Sequence, residues 1–316
     1  MNRPQELPEV LVVGPLLQSF QDALEQAYPV HKLWLMDDPD ALLKQHGDKI
    51  RAVVTTFVHG ASAELLAALP NLEIIGSYGV GFDRVDLETV RRRKIILTNT
   101  PDINEPVADT ALALLLAVTR RICEADRFMR AGQWPHAQFP FGVQLTGKTC
   151  RIVGLGRIGR SIAVRAKAFG MKIAYYGPHA KSDVDYQYFN DLEQLAAASD
   201  FLMLALPGGE ETRHVIDERI LSALGPQGFL VNVARGTVVD EAALIRKLQA
   251  GEIAGAGLDV FEQEPLGSSP LMDMDNVVLL PHIASATHET RHQMGDVVIA
   301  NLNAHFAGQP VLNPVL

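Results

Sequence analysis

The strand-like run TCRIV leads into Gly154-Leu155-Gly156-Arg157-Ile158-Gly159, and a stretch of helical period, SIAVRAKAFG, follows directly. A GxGxxG turn between a strand and a helix suits a dinucleotide pyrophosphate. Its first glycine permits the tight turn, its second lets backbone N–H groups approach the phosphates, and its third lets helix pack on strand. Three later apolar runs each end in a polar group: FLVNVA is followed by Arg235, AGAGL by Asp259, and VVLLP by His282. The carboxyl edge of an open parallel sheet forms the ligand crevice, so these side chains can converge although they are far apart in sequence. Glu264 precedes Pro265, which biases it toward an extended conformation that can reach back toward His282.

This set suits reduction of a 2-oxo acid by a nicotinamide. The cofactor supplies the hydride, the carbonyl oxygen needs a proton, and the carboxylate must be held. His282 is the natural proton donor near neutral pH, with Glu264 favouring its protonated form and fixing the ring. Arg235 can hold the carboxylate and polarise the carbonyl with its forked donors, or can instead serve only the cofactor. Asp259 can accept from the nicotinamide amide. At the end of IAYYG, where an NAD-preferring fold presents an acid to the ribose 2′-hydroxyl, stands Gly177. No carboxylate there repels a 2′-phosphate, and His179, Lys181 and Arg157 are cations within reach, so NADP is favoured and NAD remains possible. The other reading of Lys181 is a solvated loop charge. In the first third, Gly79-Val80-Gly81 follows the run IIGSY, and its N–H groups can form an anion nest for the substrate carboxylate. A strand-to-helix turn carrying two glycines is, on its own, a weak signal.

These residues need a sheet to position them. EVLVVG, AVVTT, LEIIGS and KIILTN alternate with helical patterns in the first hundred residues, and TCRIVGLG, MKIAYYG, DFLMLALP, GFLVNVARG, AGAGLDV and NVVLLPH do so from Thr149 onward. That rhythm predicts two doubly wound α/β units with parallel sheets. Between them, residues 104–132 read as one long helix that starts near Pro106 and stops at Gly132. Its middle, ALALLLAV, is apolar all round and is expected to be buried between domains or against a second subunit. The segment from Trp134 to Phe141 reads as an ordered loop that caps a site or meets a partner, and selectivity is expected there and around Phe57. The basic cluster Arg91 to Lys94 ends a helix, where the dipole favours cations.

The 316 residues are 47% hydrophobic and 21% charged, enough for a sizeable core. With 28 Lys and Arg against 37 Asp and Glu, the net charge is −9, which argues against a nucleic-acid partner. No apolar run approaches the roughly 20 residues a membrane helix needs. The N-terminus lacks the basic flank and apolar stretch of a signal peptide. Two cysteines, Cys123 and Cys150, make neither a disulfide framework nor a thiolate metal site. A soluble cytoplasmic protein without a metal is the expectation.

The phrases GVGFDRVDL, LTGKTCRIVGLGRIG, VNVARGTVVDEAAL, GAGLDVFEQEP and LLPHIASAT resemble those of the D-isomer-specific 2-hydroxyacid dehydrogenases, in particular the glyoxylate/hydroxypyruvate reductase branch, over essentially the full chain. The resemblance implies a flavodoxin-like substrate domain, residues 1–98 and 283–316, with a Rossmann cofactor domain, residues 99–282, inserted into it. It also implies a homodimer. Arg235 matches the substrate-binding and catalytic arginine, Glu264 the acid paired with the histidine, and His282 the proton donor. Val80 and Gly81 match the carboxylate-binding turn. Leu155, Gly156, Arg157 and Ile158, then Gly177, Pro178 and His179, then Val233, Ala234 and Arg235, and finally Asp259 match the cofactor contacts. Gly177 resembles the NADP-using members, many of which have an arginine at or near Pro178.

Family members that oxidise formate carry Gln at the place of Glu264, so they are disfavoured. An NAD-dependent D-3-phosphoglycerate dehydrogenase, or another D-2-hydroxyacid dehydrogenase, is the alternative enzyme; many of the former carry a C-terminal regulatory extension, for which the 34 residues after His282 leave no room. An alternative of another class is a dinucleotide-sensing, corepressor-like binding protein. The complete Arg, Glu and His set favours the enzyme.

Overall fold

The computed structural model describes residues 7–56, 58–101 and 103–315; Phe57 lies outside them. The chain divides into two compact units, Met1–Ile103 with Ala286–Leu316, and Asn104–Ser285. The crossing points lie a few residues beyond 98/99 and 282/283.

The first unit carries five strands, β1 (Glu9–Val12), β2 (Val30–Lys32), β3 (Ile50–Thr56), β4 (Ile74–Tyr78) and β5 (Ile96–Thr98). They pair in parallel in the order β2-β1-β3-β4-β5, which is the flavodoxin-like arrangement. The central strands are covered on both faces, so β4 is buried along its whole length and reads as an apolar run. The last helix, His288–Phe306, packs on this sheet: a Cβ placed at Gly76 of β4 would stand 3.0 Å from the Val298 side chain. Tyr78 Oη also donates to the Arg291 carbonyl at 2.8 Å. The basic cluster does end a helix, Leu87–Arg93, with Lys94 left-handed behind it.

The second unit carries seven strands, β6 (Thr149–Val153), β7 (Lys172–Tyr176), β8 (Gln187–Phe189), β9 (Phe201–Leu204), β10 (Phe229–Asn232), β11 (Gly255–Leu258) and β12 (Val277–Leu279). Their parallel order, β12-β11-β10-β9-β6-β7-β8, is the doubly wound Rossmann arrangement with its switch point between β6 and β9. Strands β9 and β10 are fully buried, and the core between sheet and helices is filled by Leu202, Leu204, Leu230, Ile216 and Leu244. Truncating such a leucine to alanine costs about 2–5 kcal/mol.

The single helix expected over 104–132 is two helices, Asn104–Thr119 and Ile122–Arg130. Arg121 sits between them in the left-handed region, at φ 53°. The returning loop causes the break: Val143 N–H donates to the Thr119 carbonyl at 2.8 Å, taking an acceptor that a continuous helix would use. The Thr119 hydroxyl donates to the Leu115 carbonyl at 2.6 Å, and the Arg121 guanidinium grips Glu124. The apolar middle of the first helix is buried within the second unit, against β10, β11 and the helix Arg157–Ala168, which replaces the expected burial between domains or subunits. Among the described residues, no helix is long and apolar enough to cross a membrane.

Candidate active site

The turn after β6 is shaped by backbone contacts. Gly154 has φ 94°, and a Cβ there would meet the Ala205 carbonyl oxygen at 2.8 Å; a Cβ on Gly159 would stand 2.1 Å from the Gly154 carbonyl oxygen. Only glycine permits that turn and that closeness of helix to strand. Gly156 caps the helix Arg157–Ala168 without a side-chain bond, and the first intrahelical bond is Arg160 N–H to the Gly156 carbonyl. The N–H groups of Arg157, Ile158 and Gly159 therefore precede any intrahelical acceptor and are disposed for an anion. A Cβ at Gly156 or at Gly177 would meet nothing within 4 Å, so the backbone at the turn and at the end of β7 is open to close approach, as a dinucleotide's phosphates require.

Leu155 is buried and Ile158 half-buried, whereas Arg157, Pro178, His179 and Lys181 are exposed. The loop after β7 is tied down by Tyr188 Oη donating to the Gly177 carbonyl and by Lys181 N–H donating to Tyr175 Oη. Of the two carboxylates in this loop beyond Lys181, both exposed, Asp183 is held by both terminal nitrogens of Arg160, which offsets its charge, and Asp185 lies nearer the strand Gln187–Phe189.

Arg235, Asp259 and His282 follow β10, β11 and β12, three adjacent strands, at their carboxyl ends. Each is fixed by a different device. After β10, the buried Asn232 accepts from Ala234 N–H at 3.0 Å and donates to the Arg235 carbonyl at 2.9 Å, folding Val233-Ala234-Arg235 into an Asx turn. The half-buried Arg235 donates through Nη1 to the Ala234 carbonyl at 2.7 Å. Gly236 follows because the chain from β11 passes so close that a Cβ would lie 1.8 Å from the Phe261 carbonyl carbon.

Asp259 is 1% exposed and clamps the histidine loop. Its carbonyl accepts from His282 N–H at 2.9 Å, and its carboxylate accepts from Ile283 N–H at 2.8 Å and Ala284 N–H at 2.9 Å. These three bonds hold His282 at φ 56°, a left-handed conformation that costs a non-glycine residue about 1–2 kcal/mol. Burial pushes the Asp259 carboxyl above its usual range, although the two loop N–H groups and His282 oppose that rise.

Glu264 bridges the two neighbouring loops. Its Oε1 accepts from Phe261 N–H at 3.1 Å, and its Oε2 lies 2.8 Å from His282 Nδ1. The Glu264–Pro265 peptide is cis. Burial by itself would raise the carboxyl, but the hydrogen bond and charge of His282, the Phe261 N–H and the charge of Arg235 outweigh it and hold it below the usual carboxylate range. An ionised Glu264 makes His282 Nδ1 a donor, which leaves Nε2 as the nitrogen turned away from the carboxylate and able to exchange a proton.

In the first unit the Gly79–Gly81 turn follows β4. Its three carbonyls are taken by Thr100 N–H at 3.0 Å, Asn99 Nδ2 at 2.9 Å and Ser77 Oγ at 3.0 Å, respectively. In a planar trans peptide the C=O and N–H point oppositely, so Val80 N–H and Gly81 N–H point away from those partners.

The positioning residues Asn232, Gly236 and the Phe261 N–H were not singled out from the sequence. An Asn two residues before a small residue at a strand end is an Asx-turn signal that would have found the first of them. Asp259 is expected at the cofactor, and its bonds show that it also clamps the His282 loop.

Residues 112–284 match the model of the NAD binding domain of D-isomer specific 2-hydroxyacid dehydrogenases. The chain is 45% identical over 308 residues to glyoxylate/hydroxypyruvate reductase A of Arabidopsis thaliana, covering 97% of this chain and 98% of the relative. It is 43% identical over 308 residues, with the same coverage, to a hydroxyphenylpyruvate reductase of Plectranthus scutellarioides. The solved structure of an NADPH-dependent glyoxylate/hydroxypyruvate reductase from Sinorhizobium meliloti, in complex with NADP and malonate, superposes with a TM-score of 0.90 at 39% identity, over 98% of this chain and 97% of that one. The chain belongs to the D-isomer-specific 2-hydroxyacid dehydrogenases, the NAD(P)-dependent oxidoreductases of 2-hydroxy acids.

Proposed function

We propose that the protein reduces glyoxylate, hydroxypyruvate or a related small 2-oxo acid to the D-2-hydroxy acid with NADPH, and that His282 gives the proton. The observation that carries this reading is the Glu264–His282 pair at 2.8 Å, with the charge of Arg235 acting on the same carboxylate. Bound NADPH supplies the hydride to the carbonyl carbon. Arg235 holds the substrate carboxylate and polarises the carbonyl, and Val80 and Gly81 N–H groups serve as carboxylate donors. His282 Nε2 delivers a proton to the carbonyl oxygen and regains one from water, while Glu264 steadies the imidazolium beforehand and orients the neutral ring afterwards. Asp259 keeps that ring in place and, with Val233 and Ala234, contributes cofactor contacts at the carboxyl edge of the sheet.

NADPH is preferred in this reading because Gly177 offers no acid to a 2′-phosphate at the end of the strand and Arg157, His179 and Lys181 are exposed. A cytoplasmic homodimer is part of the same proposal. The dimer is supported by the apolar side chains exposed along 122–141, where Ile122, Met129, Trp134 and Phe141 are between 51% and 89% exposed.

The test is a matrix of NADPH and NADH against glyoxylate, hydroxypyruvate, pyruvate and the bulkier hydroxyphenylpyruvate. The expected result is highest kcat/KM with NADPH and the small acids. Equal or better efficiency with NADH removes the cofactor assignment, and better efficiency with hydroxyphenylpyruvate moves the substrate to the aromatic class. Dinucleotide binding without turnover of any acid favours the binding-protein alternative.

A further inference from the structure

On the first unit, three side chains meet that the reductase reading does not use. Glu9 opens β1, His31 is the middle residue of the edge strand β2, and His46 closes the helix Pro39–His46. Glu9 Oε2 lies 2.6 Å from His31 Nε2 and 3.3 Å from His46 Nδ1, and the imidazole centroids are 4.4 Å apart. One candidate ligand atom from each residue can be chosen so that all lie within 4.8 Å of one another. The side chains are 18% to 25% exposed, sheltered yet reachable by water. Among the described residues, this is the group of three or more His, Cys, Asp or Glu side chains gathered closely enough to share a metal ion.

We propose that Glu9, His31 and His46 form a binding site for a divalent transition-metal ion of the zinc class, with water completing the coordination. The donor set argues for this class: two imidazoles and one carboxylate suit zinc, whereas magnesium and calcium take all-oxygen sites. The geometry agrees. Ligand bonds near 2.1 Å in a tetrahedral site place donor atoms about 3.4 Å apart. The Glu9–His46 separation of 3.3 Å is close to that value, the Glu9–His31 separation of 2.6 Å needs to open by less than about 1 Å, and the two imidazole ligand atoms lie within 4.8 Å of each other, all within side-chain freedom. Without metal, Glu9 Oε2 is the common acceptor for the two rings. Each ring presents a lone pair at the same nitrogen once it takes its other neutral tautomer, so binding requires no net proton loss from neutral rings.

The ion would join β1, the three-residue edge strand β2 and the helix Pro39–His46, which makes its role structural. This site stands apart from the proposed reductase chemistry, so either reading can fail without the other.

The experiment uses the untagged full-length chain, stripped with a chelator, and titrates Zn2+ against a chromogenic competitor, with Co2+ as a spectroscopic probe and thermal unfolding as a second readout. The expected result is one Zn2+ per chain lost on His31→Gln or Glu9→Gln, with affinity falling more than about 100-fold. Wild type should also show a Co2+ ligand-field band and a zinc-dependent rise in Tm that both variants lack. A His288→Gln/His292→Gln/Cys123→Ser control should bind as wild type does. Should His31→Gln or Glu9→Gln fail to fold, His46→Gln, at the end of its helix, carries the same prediction. Equal zinc affinity in wild type and the folded site variants, or binding abolished only in the control, overturns the proposal.

Discussion

Replacing Glu264 by Gln removes one charge and almost no volume. In the native arrangement one carboxylate serves two donors, Phe261 N–H at 3.1 Å and His282 Nδ1 at 2.8 Å. An amide has one acceptor oxygen. If it stays on Phe261 N–H, the NH2 group faces His282 and favours a ring that accepts at Nδ1; if it turns to His282, two N–H groups oppose each other at Phe261. Either way the imidazolium loses a charge-assisted hydrogen bond worth about 1.5–3 kcal/mol. At about 1.4 kcal/mol per tenfold in rate, reduction near neutral pH should fall about 10- to 100-fold. The assay is single-turnover oxidation of NADPH by glyoxylate across a pH series, beside cofactor binding. KM for NADPH should hardly move, because the lost bond lies on the histidine. An unchanged rate and profile, with chemistry rate-limiting, refutes the role assigned to Glu264.

Changing His282 to Ala should lower turnover about 100- to 10,000-fold with dinucleotide affinity retained, which stopped-flow fluorescence of bound NADPH checks. Asp259→Asn trades one acceptor of the His282 loop for a donor; amide exchange at Ile283 and Ala284 should quicken and kcat should fall more than cofactor affinity. Gly159→Val sets a side chain where even a Cβ would be 2.1 Å from the Gly154 carbonyl, so dinucleotide binding should be lost and Tm should drop. Asp200 accepts from Thr149 N–H, Thr149 Oγ1 and Lys148 Nζ, at 2.8, 2.8 and 3.0 Å. Against burial, these bonds hold its carboxyl below the usual range. Its stabilisation should be full above an unfolded pKa near 4 and lost as pH falls through the lower folded value, so Asp200→Asn should cost about 1–3 kcal/mol at neutral pH and much less in acid, by chemical denaturation.

The legible parts of the molecule were those with local signals. The ten apolar runs became the ten buried or half-buried strands, because a strand covered on both faces must be continuously apolar. β2 and β8 carry too little apolar sequence to announce themselves: VHK and QYF are short edge strands, held by pairing to β1 and β7. The glycine turn was legible because its geometry admits no Cβ. The break at Arg121 was not, since its cause, Val143 bonding the Thr119 carbonyl, lies more than twenty residues away. Arg235, Glu264 and His282 could be named from strand ends and Glu-Pro spacing. What fixes them, the Asn232 turn and the Asp259 clamp, depends on which strands are neighbours, and that is a property of the sheet.

The most direct measurement is a single-turnover reaction of enzyme-bound NADPH with glyoxylate, comparing the wild-type protein with His282→Ala. The account predicts rapid, stoichiometric oxidation of NADPH and formation of glycolate in the wild type, and a loss of rate of at least about 100-fold in the variant with NADPH still bound. Equal rates in the two proteins would contradict it.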